Sequence, residues 1–220
     1  MKYNVYNPAD PSLALYLPLH QLDGTTFMSR DHYGHLCTVT GAVWTPQGRW
    51  FDHIDDQIIT PLDVPPTAFT LEVWINSPFT ASADNNRAIL GKRLAVTEWS
   101  LLVAPSIRKA VFQGWDAAGA QVIVLTSNTA MVANTWNYLG LTYDLATKTS
   151  TLYLNGVAAG TVSGADDIIR DTAEPVRIGN ADNDPDRRWD GYIGEVRVYS
   201  RVLTLAEIQQ NYQSTKFRYQ

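Results

Sequence analysis

Trp115 and Asp116 sit in the stretch Gln113-Gly114-Trp115-Asp116-Ala117-Ala118-Gly119, whose composition reads as a hairpin tip. An indole carried at a tip does not easily reach a core. An open aromatic ring there can stack on the C–H face of a sugar or anchor a protein partner. Asp84, Asn85 and Arg87 belong to a second polar loop, with the carboxylate, amide and guanidinium groups that fix ligand hydroxyls. These residues are the candidate ligand-binding set. An ordinary surface tryptophan is the plain alternative.

Catalytic chemistry finds less support. A glycosidase needs two carboxylates roughly 5–10 Å apart across the sugar bond. The chain has only five glutamates, Glu72, Glu98, Glu174, Glu195 and Glu207, and no two are close in sequence. Asp55 and Asp56 are adjacent, so on a strand their side chains would point to opposite faces. No G-x-S-x-G elbow is present, and Cys37 has no nucleophile signature around it. His20, His32, His35 and His53 crowd the first quarter of the chain without helical metal-ligand spacing, and read as hydrogen-bonding loop residues. No catalytic residue is assigned. Asp182, Asp184 and Asp186 have a calcium-like spacing, but Arg187 stands where an EF-hand needs Gly and Ile193 where it needs Glu. That loop reads as solvated and neutralised by Arg187 and Arg188, and no metal ligand is assigned.

These loops must hang on strands. Runs such as Phe69–Ile75, Trp99–Val103, Gln121–Thr126 and Asn137–Asp144 recur with turn signals between them, and helical periodicity is almost absent before residue 203. Phe69, Leu71, Val73 and Ile75 alternate with Thr70, Glu72 and Trp74, so both faces of that strand are expected to be partly covered. Asn155-Gly156 predicts a type I′ turn joining Thr149–Asn155 to Val157–Val162. Near the end, Trp189–Tyr212 reads as a strand entering a short helix. Thr204 and Glu207 form its capping box, and Leu205, Ile208 and Tyr212 lie on one face. Strands at this spacing imply a two-sheet antiparallel sandwich, taken as one domain over 1–220 with 1–10 and 214–220 as terminal extensions.

Composition fits that frame. The chain is 220 residues long, with 45% hydrophobic and 18% charged residues and a formal charge of −5. It lacks the basic footprint that nucleic-acid binding requires. No stretch is apolar enough to span a membrane, so no membrane insertion is expected, and the start MKYNVYNPADPS has no secretory apolar core. The lone Cys37 excludes an internal disulfide and, beside Leu36, Thr38 and Val39, reads as a buried strand thiol. Trp74, Trp136 and Trp189 read as core, Trp44 and Trp50 as half-buried, and Trp99 as a ring lining the concave sheet.

The closing segment WDGYIGEVRVYSRVLTLAEI resembles the signature of the laminin G-like (concanavalin A-like) jelly-roll family, whose wording is close to F-D-G-x-I-D-E-V-R-I-Y-N-R-A-L-S-x-x-E-I. Further matches run in order along the chain. Trp50–Ile58 resembles L-S-F-D-G-x-D-D-Y-V, Phe69–Ile75 resembles F-T-I-S-A-W-V, and Leu152–Val157 resembles L-Y-V-N-G-V. The resemblance implies a jelly roll with a short C-terminal helix and an extracellular or virion-associated setting. It also implies a binding or adhesion role toward a glycan or protein surface. A structural assembly protein such as a viral capsid-decoration or fibre component, able to form a homo-oligomer, is the second reading. A polysaccharide hydrolase or lyase is the third. Relatives hold a structural calcium through the acidic residue of I-D-E-V; here that residue is Gly194. The resemblance therefore implies no calcium bound by that route, and Glu195 is not expected to substitute because neighbouring strand residues face opposite ways.

Overall fold

The computed structural model describes residues 10–79, 86–93, 97–164, 169–180 and 185–220. Its strands in chain order begin with β1 (Leu13–Pro18), β2 (Thr26–Met28), β3 (Leu36–Thr40), β4 (Val43–Thr45), β5 (Gly48–Asp52) and β6 (Gln57–Ile59). The middle of the chain supplies β7 (Ala68–Asn76), β8 (Arg87–Arg93), β9 (Thr97–Ala104), β10 (Lys109–Trp115) and β11 (Gln121–Thr126). There follow β12 (Asn137–Asp144), β13 (Thr149–Leu154), β14 (Val157–Ser163), β15 (Arg177–Ile178), β16 (Asp190–Tyr199) and the helix α1 (Leu205–Thr215).

Two antiparallel sheets result. Sheet I has the order β14-β13-β12-β7-β16-β5-β4, with β1 also paired to β16. Sheet II has the order β11-β10-β9-β8-β15-β6-β3-β2. The central strand β7 shows how sequence alternation builds the sandwich. Phe69, Leu71, Val73 and Ile75 enter the core between the sheets, while Thr70, Glu72 and Trp74 face outward, where the C-terminal segment covers them. The expectation that both faces are covered holds along its whole length. The β13–β14 turn is the predicted one, with Asn155 at φ 51° and Gly156 at φ 78°. Cys37 is fully buried, and burial pushes its thiol up to about 12, so it stays protonated as a core residue.

Helix α1 begins as the capping box requires: Glu207 N–H donates to Thr204 Oγ1, and the Glu207 carboxylate accepts from the Thr204 N–H at 2.8 Å. Its packing differs from the expected face. Ile208 is fully buried and Tyr212 half-buried, but Leu205 in the first turn is 46% exposed. Residues 214–220 are not an extension. A 3₁₀ turn at Lys216–Arg218 folds the chain back, and Tyr219 is buried to 5% exposure against Trp74, 4.6 Å between ring centroids.

Glu207 also pairs with Arg201 at 2.7 Å, and that hydrogen bond, outweighing partial burial, holds its carboxyl down at about 2. A depressed acid pKa means the folded state binds fewer protons than the unfolded chain between about 4.5 and about 2. This stabilisation is therefore full above pH 4.5 and lost as pH falls through that window. Glu207→Gln is expected to lower stability by about 1 kcal/mol at pH 7, a modest figure because the pair is half-exposed, and to flatten the acid limb of a denaturation profile.

Candidate functional site

Trp115 ends β10 at a register slip, where Gly114 opposes Ile123 but Trp115 opposes Gln121. Its ring is half-buried rather than free at a tip, and its carbonyl accepts from Arg170 N–H at 2.8 Å. Asp116 shapes the turn that follows. One carboxylate oxygen accepts from Ala120 N–H at 2.8 Å, and Gly119 takes φ 87° to close the turn. Arg87 lies elsewhere. It opens β8 opposite Val103, whereas the Trp115 end of the sheet lies level with Lys92 and Trp99. About five residues of strand, roughly 16 Å, separate the two ends. Arg87 is 5% exposed, and its guanidinium donates to the Asp186 carbonyl. The structure therefore joins Trp115 and Asp116 into one rim and leaves Arg87 out of it. Asp84 and Asn85 lie outside the described residues, as do Asp182 and Asp184.

The other indoles are sorted by register. Trp99 is fully buried and packs on Phe69 at 5.2 Å, because its strand neighbours leave it on the inner face; it does not line an outer surface. Trp74 and Trp189 are core, as expected, while Trp136 is only half-buried. His35 and His53 hydrogen-bond to the carbonyls of Ala14 and Arg188 at 3.0 and 2.7 Å. His20 departs from that pattern. Both its ring nitrogens are buried without a partner, and burial, helped by Arg218, lowers its pKa to about 4.

The interior glutamates are all neutralised inside the protein. On the outer face of sheet I, Arg197 lies 3.5 Å from Glu72 and forms a close pair with Glu195, which Arg218 also reaches at 3.3 Å. Asn211 of α1 donates to both Glu72 oxygens at 3.1 and 3.0 Å. Burial alone would lower the Arg197 pKa, but Glu195 and Glu72 outweigh it and keep the guanidinium firmly charged. The same burial pushes Glu72 upward against the pull of Arg197. In sheet II, fully buried Lys92 contacts Glu98 at 2.8 Å and also reaches Asp63 and the Thr172 carbonyl. Glu98 accepts in turn from Thr172 N–H and Oγ1 at 2.9 and 2.7 Å. Carboxylates held this way brace strands and loops.

Asp55 and Asp56 correct their expectation. They lie in the loop between β5 and β6, not on a strand, and with Asp52 bring oxygens within 4.8 Å of one another. These oxygens already serve the loop: Asp56 accepts from Asp52 N–H, and Asp52 from Ile54 N–H, both at 2.8 Å. A side chain at position 194, where the family resemblance implies an acidic residue, would meet Tyr219. A Cβ added to Gly194 would lie 2.5 Å from Tyr219 Cε1 and 2.7 Å from its hydroxyl oxygen. The residues present do not fit an ion there. Gly194 also sits at a bulge, where the pairing of β16 with β7 slips between Ile193 and Val196. On its opposite edge β16 passes from β5 to β1. The bulge breaks alternation, so Glu195 and the Gly194 Cα both face the C-terminal segment, and the reason given for excluding Glu195 does not hold. Glu195 is instead occupied by Arg197 and Arg218.

A family model for the Concanavalin A-like lectin/glucanases superfamily, Laminin_G_3, matches residues 52–209. No curated protein matches the chain by sequence. Among solved structures, the botulinum neurotoxin type G receptor-binding domain superposes with a TM-score of 0.72 at 15% identity, covering 92% of this chain and 51% of that one. The botulinum neurotoxin serotype D ligand-binding domain, solved in complex with N-acetylneuraminic acid, gives 0.73 at 17% identity, covering 92% and 50%. A Trypanosoma rangeli sialidase gives 0.66 at 16%, covering 94% of this chain and 33% of the enzyme. The chain thus spans about half the length of the toxin domains it matches, and the likeness at these identities is one of fold.

Proposed function

Because this chain belongs to the concanavalin A-like lectin/glucanases superfamily, we propose that it is a non-catalytic binding module that recognises a glycan or a protein surface. The observation that carries this reading is the division of its polar and aromatic groups. Glu72, Glu98 and Glu195 are buried against Arg197, Lys92 and Arg218, while Trp115 and other rings stay half-open at the surface. Such rings provide contact area to a ligand, and no buried carboxylate pair faces a cleft among the described residues. The two toxin domains are receptor- and ligand-binding domains, which is consistent with this; the sialidase is the weaker match. At the C-terminus Tyr219 folds into its own chain, and of the two rings in 216–219 only Phe217 protrudes, at 68% exposure.

A screen of immobilised glycans and cell-surface proteins, run alongside an assay for released sugar, tests the reading. Saturable binding without turnover is expected, whereas sugar release from any polysaccharide would point to the hydrolase. Trp115 and Asp116 form the proposed rim contact. Trp115→Ala is expected to weaken at least one interaction in the screen by about tenfold. A binding profile unchanged by that substitution removes the rim from the binding surface.

A further inference from the structure

Lys92 on β8 is fully buried, and its amine is crowded by oxygens drawn from three other parts of the chain. Asp63 Oδ1, in the loop between β6 and β7, lies 2.5 Å away. Glu98 Oε1, near the start of β9, lies 2.8 Å away. The carbonyls of Val64 and Thr172 complete the set at 3.3 and 3.1 Å. An ammonium has three N–H donors, so four oxygens are one more than it can satisfy. Two of the four belong to carboxylates, and Glu98 is as fully buried as Lys92 itself.

An ion pair that only braces the fold needs one carboxylate for one cation. Here there are two, and their surroundings differ. Glu98 Oε2 accepts from Thr172 N–H and Oγ1, which fixes the carboxyl and leaves Oε1 against the Lys92 nitrogen. Burial raises the Glu98 pKa, so this group takes up a proton more readily than a solvated glutamate does. Asp63 instead keeps 48% of its side chain open to solvent. Its Cγ is one bond from the oxygen that touches Lys92, and its open side gives a small leaving group a way out. A nucleophile, a proton carrier and an acyl carbon are thus held in contact. The place matters too. Sheet II joins β6 to β8 only through β15, which is two residues long, and Cys37, the only cysteine, is not available for a disulfide there.

We propose that Lys92 and Asp63 join in a self-formed amide bond, with Glu98 as the proton carrier. One proton passes from the Lys92 ammonium through Glu98 Oε1 to the Asp63 carboxylate, leaving a neutral amine beside a neutral acid. Burial favours that uncharged pair. The nitrogen lone pair then attacks Asp63 Cγ, and a C–N bond forms. Glu98 moves a second proton from this nitrogen to the departing hydroxyl, the C–O bond breaks and one water leaves. Glu98 ends as it began. An ammonium and a carboxylate become an amide and water, so atoms and charge balance without an oxidant or a cofactor. The bond ties the loop after β6 to β8 and fastens sheet II where its strand pairing is thinnest.

Intact mass under denaturing conditions tests the bond, whatever the chain binds. The wild type is expected to be lighter than its sequence by one water. Its tryptic digest is expected to contain a branched peptide joining Lys92 to Asp63, uncut after Lys92. Asp63→Ala changes a half-exposed side chain, so it is expected to fold, as circular dichroism would show, and to keep its full sequence mass. Glu98→Gln retains an acceptor for Thr172 but cannot carry the proton, and most of its chains are expected to stay unlinked. A wild type still at full mass after prolonged incubation at neutral pH would overturn the proposal and leave an ordinary ion pair. A water lost with Lys92 free, or joined to Glu98, would overturn the assignment to Asp63. Complete linkage in a folded Glu98→Gln chain would remove Glu98 as the proton carrier.

Discussion

Replacing Arg197 with Ala is expected to cost about 3–5 kcal/mol of folding stability at pH 7, read from the midpoint of a urea or thermal transition. The guanidinium is 3% exposed and stands between Glu72 and Glu195, themselves 2% and 3% exposed. Removing it leaves two buried carboxylates facing each other, with Arg218 on one and the Asn211 amide on the other. The pH dependence is part of the prediction. Without the cation, burial raises the Glu72 carboxyl further in the folded variant, so it binds more protons than its unfolded chain. Stability then falls as pH rises through the carboxylate range, and the deficit against the wild type shrinks toward pH 4. Arg197→Ala combined with Glu72→Gln is expected to recover part of the loss, since one unpaired charge is gone. A loss near 0.5 kcal/mol with no pH trend would mean that water reaches this cluster.

Gly194→Asp is expected to be the second large effect. Its new Cβ would lie 2.5 Å from Tyr219 Cε1, which real side chains do not tolerate, so the ring must leave its place between Trp74 and Trp136. Overpacking of this kind costs about 1–3 kcal/mol. Lost ring contacts and a carboxylate next to Glu195 add to it. Coupling gives the check. Tyr219→Ala alone removes the same contacts, so the double variant Gly194→Asp/Tyr219→Ala is expected to be less destabilised than the sum of the singles, by about 1 kcal/mol or more. Calcium is expected to leave the melting temperature of the wild type unchanged by this route. In the double variant a carboxylate returns and the space beside it opens, so a calcium-dependent rise there would show that the ring had displaced the ion. Strict additivity would mean that Tyr219 does not occupy this place in solution.

Much of this was legible before any fold. The alternation of Phe69–Ile75 gave both faces of β7, Asn155-Gly156 gave its turn, and Thr204 with Glu207 gave the start of α1. Each signal is carried within a few neighbouring residues. Trp115 and Trp99 were harder. Both head or close short strands, and only pairing with β8 and β11 shows that Trp99 enters the core while Trp115 stays at the rim. Arg87 reads as a binding partner of Trp115 because each belongs to a polar, loop-like stretch. The antiparallel meander β8-β9-β10 instead carries them to opposite ends of the sheet.

The run of rings formed by Trp50, Tyr192 and Trp136 is hidden for the same reason: nothing local in sequence links β5, β16 and the start of β12. Gly194 shows the division most clearly. Its identity alone removed the acidic ligand that the resemblance implies. Only the folded chain puts a bulge there, turns Glu195 to the same side and brings Tyr219 from the C-terminus into the gap. Strand period, turn chemistry and helix caps are local energies, so the sequence alone determined the architecture. Register, bulges and the meeting of side chains far apart in sequence depend on the sum of contacts across the sandwich, so only the tertiary structure decided which surfaces were closed and which were left open.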